Sequence, residues 1–163
     1  MDNTELAKAY YKLLVAIDWN DEIFVSGLRE GLNKFISNAF LAYHKGKNKY
    51  HKSHYVSVLA LEKLKLNDPK GLIYEHIVPK TKYIQEPCEK LAKEGKLTVD
   101  FIEAKLDAYW KLATVTKEED QRLDTHSMPK NWDGVDIFAR YKSASIELVE
   151  NPFFKNIQPK LKV

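Results

Sequence analysis

Two short runs of β-branched and aliphatic residues interrupt a chain whose apolar residues otherwise recur every three or four positions. They are Leu72-Ile73-Tyr74-Glu75-His76-Ile77-Val78-Pro79 and Lys111-Leu112-Ala113-Thr114-Val115-Thr116. A pair of strands this small is not stable alone in water and needs helices against it. The chain is therefore expected to be mainly α within the α+β class: a helical domain with a small two-stranded element inserted. At 163 residues, a single domain over 1–163 is the expectation.

The helical pattern is clear on both sides of the strands. Leu6, Tyr10, Leu13, Leu14 and Ile17 mark a first helix, with Asp2 or Asn3 as cap. Asn20-Asp21-Glu22 starts a second, whose apolar face runs from Phe24 to Tyr43 and whose end is expected at Gly46. Ser53 is the expected cap of a third helix, to about Leu64, and this completes a helical part over 1–66. A strand-bearing part follows over about 70–126. It contains a helical insertion over 82–110, in which Gly95 ends one helix and Thr98 caps the next. Thr116-x-x-Glu119 is a capping-box pattern, so the second strand should feed a helix reaching about Asp124. A C-terminal helix from about Val135 to Ala144 and a tail complete residues 127–163.

Composition narrows the function classes. Apolar residues make up 44% and charged residues 30%, which excludes a disordered or collagen-like chain. With one cysteine, Cys88, an internal disulfide is excluded. No apolar run approaches the roughly 20 residues of a membrane span, and Met1-Asp2-Asn3-Thr4-Glu5 lacks the basic start of a signal peptide. A cytoplasmic protein with no membrane partner is expected. The net charge of +3 says little, but its distribution says more. From His44 to His54 the chain reads HKGKNKYHKSH, with four lysines (Lys45, Lys47, Lys49 and Lys52), three histidines and no acid. Such a segment suits contact with phosphates, or a solvated loop between helices.

Chemistry concentrates at the strands. Glu75 and His76 stand side by side near the end of the first, followed at once by Ile77-Val78-Pro79. Adjacent strand residues point to opposite faces, so the two meet in one site only where the strand bends. Asp120 and Asp124 are four apart on the expected helix. On one face their Cβ atoms would lie about 6 Å apart, a repulsive register unless a cation sits between them.

These two patterns together resemble the HNH, or ββα-metal, nuclease family. There a strand carries a ligand followed directly by the catalytic histidine, often as Asp-His-Ile-x-Pro, and a second strand feeds a short helix that completes the metal site. The resemblance covers Glu75 to Pro79 and Thr116 to Asp124. It makes the part over about 70–126 ββα-metal-like and implies a metal-dependent endonuclease, with DNA a better substrate than RNA. It implies His76 as general base, a role suited to a group with an ordinary pKa near 6.5. Glu75, Asp120 and Asp124 would be the metal ligands, an all-oxygen set that suits Mg²⁺ or Mn²⁺. Lys80, Lys82 and Arg122 join Lys45, Lys47, Lys49 and Lys52 as expected nucleic-acid contacts. The Lys-, Asn- and Ile-rich chain would also fit a phage or mobile-element protein. The sequence departs from the family pattern in its long insertion and in having Lys111 where an orienting asparagine is sought. The other reading is a non-catalytic helical module that keeps a degenerate HNH scaffold and binds nucleic acid or a protein. Residue by residue, the plainer readings are His76 as a structural histidine, Arg140 on a helix surface rather than against a substrate, and Trp110, Trp132 and Tyr141 as packing residues.

Overall fold

The computed structural model describes residues 2–44 and 48–154. Within them the chain is mixed α+β and divides into two compact units: residues up to 44 with 81–108, and residues 48–80 with 109–154. The expected helical part over 1–66 is thus shared between the units, and most of the expected insertion over 82–110 lies with the first two helices.

The first unit holds α1 (Asn3–Val15), α2 (Glu22–Tyr43), a π turn at Thr81–Gln85, α4 (Glu86–Lys93) and most of α5 (Val99–Tyr109). Its helix starts follow the capping signals, with the cap of α2 at Asp21 rather than the expected Asn20. Asp2 accepts from Glu5 N, Asp21 from Phe24 N and Thr98 from Phe101 N. Leu6, Tyr10 and Leu14 of α1 are buried, as are Leu32, Ile36 and Phe40 of α2. The expected apolar face of α2 is not buried along its whole length, because Phe24 near its start is exposed. That helix ends at Tyr43 with His44 as its C-cap, and the expected stop, Gly46, lies outside the described residues. Arg29 Nη1 donates to both oxygens of the buried Glu89 carboxylate at 2.9 Å, a charge-assisted pairing. Cys88 is fully buried in α4, where burial pushes its thiol up to about 12 and makes it unreactive.

The second unit is built on a sheet of four strands, not the expected two. They are β1 (Tyr55–Ser57), β2 (Leu72–His76), β3 (Leu112–Thr116) and β4 (Leu148–Glu150), in the order β2-β3-β1-β4. β2 and β3 pair antiparallel, β1 runs parallel to β3, and β4 is antiparallel to β1. α3 (Val58–Lys65), α6 (Lys117–Asp120), α7 (Ala139–Ser143) and a 3₁₀ turn at Lys49–Lys52 complete the unit.

The register sorts the side chains by face. Ile73 opposite Val115 and Glu75 opposite Ala113 share one face, while Tyr74 opposite Thr114 and His76 opposite Leu112 share the other. On the Glu75 face, Ile77, Ala113, Val115, Leu123, Tyr141 and Ile146 form a buried cluster. A second cluster, Val56, Ala60, Leu64 and Leu72, packs α3 onto β1 and β2.

Three helix boundaries in this unit differ from expectation, each for a local reason. The cap of α3 is Ser57, whose hydroxyl accepts from Ala60 N. Ser53 instead bonds Thr114 Oγ1 at 2.8 Å across the sheet. α7 starts only at Ala139, because Asp133 takes the N–H groups of Val135 and Asp136, and Asp136 takes that of Phe138. α6 carries its predicted capping box but ends at Asp120, after which Arg122 and Leu123 make tighter i−3 bonds.

Candidate functional site

The early end of α6 takes Asp120 and Asp124 off a common helix face. Asp124 lies beyond the helix, and its Oδ1 accepts from His126 N at 2.8 Å and Ser127 N at 3.0 Å. Those two bonds hold its carboxyl below the usual carboxylate range. Asp124 thus closes the turn that leads away from α6. His126 is exposed on that turn.

The Glu75-His76 pair diverges as strand geometry requires. Glu75 points to the face covered by α7. There its Oε1 receives Arg140 Nη2 at 2.8 Å, and Arg140 itself is 3% exposed. Burial lifts the Glu75 carboxyl above its usual range, the Arg140 guanidinium pulls the other way, and Asp120 adds to the rise. The same guanidinium also donates to the carbonyl oxygens of His76 and Asp124. One arginine therefore touches three of the four residues expected to form the site.

His76 points to the opposite face, where its ring lies 4.9 Å from that of the buried Trp110. Burial, with Lys80 and Arg140 adding to it, pushes the imidazole down to about 3, so it is neutral at pH 7. The chain bends after β2, but only after a last ladder bond from Ile77 N to the Lys111 carbonyl. The bend comes too late to turn Glu75 and His76 to one side.

Among the described residues no group of three or more His, Cys, Asp or Glu side chains is placed to hold a metal ion. Glu75 is engaged by a buried cation and Asp124 by two backbone N–H groups. Glu75, Asp120 and Asp124 do not fit the ligand role that the resemblance gives them.

The basic residues also separate. Lys45 and Lys47 lie outside the described residues. Lys49 is exposed, with its ammonium 5.1 Å from the Tyr50 ring, while Lys52 is buried. The turn bearing both is tied to β2 by Tyr74 Oη, which donates to the Lys52 carbonyl at 3.4 Å. Lys80 is half-buried at the end of the bend, and burial lowers its ammonium to about 8. Arg122 is exposed and donates to the Ala144 carbonyl. Lys82 belongs to the other unit, exposed, with its ammonium 5.6 Å from the Tyr83 ring.

Arg140 is the residue that sequence reading placed wrongly. A buried arginine in a short amphipathic stretch looks like a surface one until its partner is known. The one available signal was an acidic residue in a strand otherwise made of apolar groups, since a half-buried carboxylate calls for a cation. Comparison with protein-family models, with curated proteins and with solved structures finds no match. Among the described residues no helix is long and apolar enough to cross a membrane.

Proposed function

We propose that this chain is a nucleic-acid-binding module on an HNH-like hairpin that does not carry out metal-dependent hydrolysis. The observation that carries the reading is the divergence of Glu75 and His76. The acid is paired with Arg140 on one face of β2 and the imidazole rests on Trp110 on the other. A hydrolytic site needs ligand and base at one phosphodiester, and these two side chains serve separate surroundings.

Binding is supported by the basic residues around β2. Lys49 is exposed on a turn tied to β2 through Tyr74, and Lys80 follows the same strand. Lys80 keeps its charge at neutral pH although burial lowers its ammonium to about 8. DNA is the better-suited nucleic acid for a first assay, since the reading inherits that expectation from the resemblance.

The test combines binding with cleavage. A fluorescent DNA duplex titrated at several salt concentrations should bind, with log K falling linearly against log salt. Lys49→Ala with Lys80→Ala should reduce that slope by about 2, roughly one for each phosphate no longer neutralised. An unchanged slope would show that these lysines do not touch phosphates. Plasmid incubated with the protein in Mg²⁺ or Mn²⁺ should stay intact. Cleavage by wild type that is abolished in His76→Ala would replace this reading with the nuclease one.

A further inference from the structure

We infer that Arg140 is the fixed cation of this site, standing where the resemblance would put a divalent metal ion. Its guanidinium is held by three oxygens: Glu75 Oε1 at 2.8 Å and the carbonyl oxygens of His76 and Asp124. One carboxylate and two carbonyls are the donors a hard cation prefers. The oxygens come from the end of β2 and from the segment after α6, the two segments that the sequence marks for a metal site. The Asp120 charge adds to the rise of the Glu75 carboxyl.

Physical chemistry favours an arginine over an ion here. The guanidinium stays charged at every accessible pH, matches carboxylate geometry and is weakly hydrated, so it is the cation least costly to bury. Because it is covalently part of α7, it needs no free ion to be in place. It also draws α7 onto the strand: Arg140 and Tyr141 are 3% and 1% exposed, and Tyr141 packs in the same cluster as Ile77 and Val115. Arg140 thereby acts as a positioning residue, joining β2, the turn after α6 and α7 through charge. The inference does not depend on nucleic-acid binding, and its test contains no nucleic acid.

The experiment is thermal melting of the full chain with EDTA or with about 5 mM Mn²⁺, read as the difference in metal response between variants. Wild type should melt at the same temperature in both. Arg140→Ala should melt about 10 °C lower in EDTA, because it removes a buried guanidinium and leaves the half-buried Glu75 carboxylate without its partner. That variant should then regain at least about 3 °C in Mn²⁺, since the vacated oxygens bind the ion only in the folded state. Adding Glu75→Gln to Arg140→Ala should abolish the regain. If Arg140→Ala does not fold in EDTA, refolding in Mn²⁺ reads the same property, and failure to recover overturns the inference. It is equally overturned if folded Arg140→Ala responds to Mn²⁺ no more than wild type does. A regain that survives Glu75→Gln places the metal elsewhere and also overturns it.

Discussion

Lowering the pH from 6.5 to 4.5 should cost the second unit about 2 kcal/mol of stability through His76 alone. In the folded state burial keeps this imidazole neutral down to about pH 3, whereas in the unfolded chain it protonates near pH 6.5. Between those values the unfolded state binds more protons, so stability falls as the pH falls. The full contribution is present above about pH 6.5 and is lost on the way to pH 3. Full linkage would give about 1.4 kcal/mol per pH unit, and the residue is only half-buried, so about 1 per unit is the working figure. Glu75 acts in the opposite sense, because a carboxyl raised by burial gains stability as it protonates. The measurement that isolates His76 is therefore a difference. Urea midpoints of wild type and His76→Gln, taken at half-unit steps from pH 4.5 to 7.5, should converge as the pH falls. Parallel curves would mean that His76 titrates normally and that its packing on Trp110 does not shield it.

The elements that could be read from sequence are those whose signals are local. Asp2 and Thr98 cap helices as expected, and Asp21 caps α2 one residue after the expected Asn20, because an N-cap joins residues three apart. The strands at Leu72–His76 and Leu112–Thr116 stood out because each is five residues long and closed by a polar or proline break. β1 and β4 were not legible. Each has three residues, too few to show a period of two, and each forms only because β3 offers an edge to β1 and β1 one to β4. The site failed for the same reason at longer range. Asp120 and Asp124 share a face only on a helix that continues, and nothing local announced that Asp124 would cap His126 and Ser127 instead. Glu75 was expected to be a metal ligand, but its partner is an arginine that stands 65 positions away on α7. A carboxylate in an apolar strand shows that a cation is needed. It does not show whether that cation is an ion or an arginine.

The capping box shows how a local signal can acquire a distant role. Glu119 should be among the most sensitive polar positions in the chain, with Glu119→Ala costing about 3 kcal/mol. The residue is 4% exposed, and its Oε2 alone accepts from Thr116 N at 2.9 Å and from Ser57 Oγ at 2.5 Å. The Ser57 hydroxyl in turn accepts from Ala60 N, so one hydroxyl and one carboxylate fasten the first turns of both α3 and α6. Removing the carboxylate strands a fully buried hydroxyl and a backbone N–H, and each charge-assisted bond removed costs about 1.5–3 kcal/mol. Ser57→Ala removes one of the two bonds and the α3 cap, and should cost about 2 kcal/mol. Because both variants break the same bond, Glu119→Ala with Ser57→Ala should cost less than their sum by about 1 kcal/mol or more, a coupling expected of residues in one network. Urea unfolding of the four proteins measures this directly. Strict additivity would show that the two helix starts are capped independently and that the Ser57–Glu119 bond contributes nothing of its own.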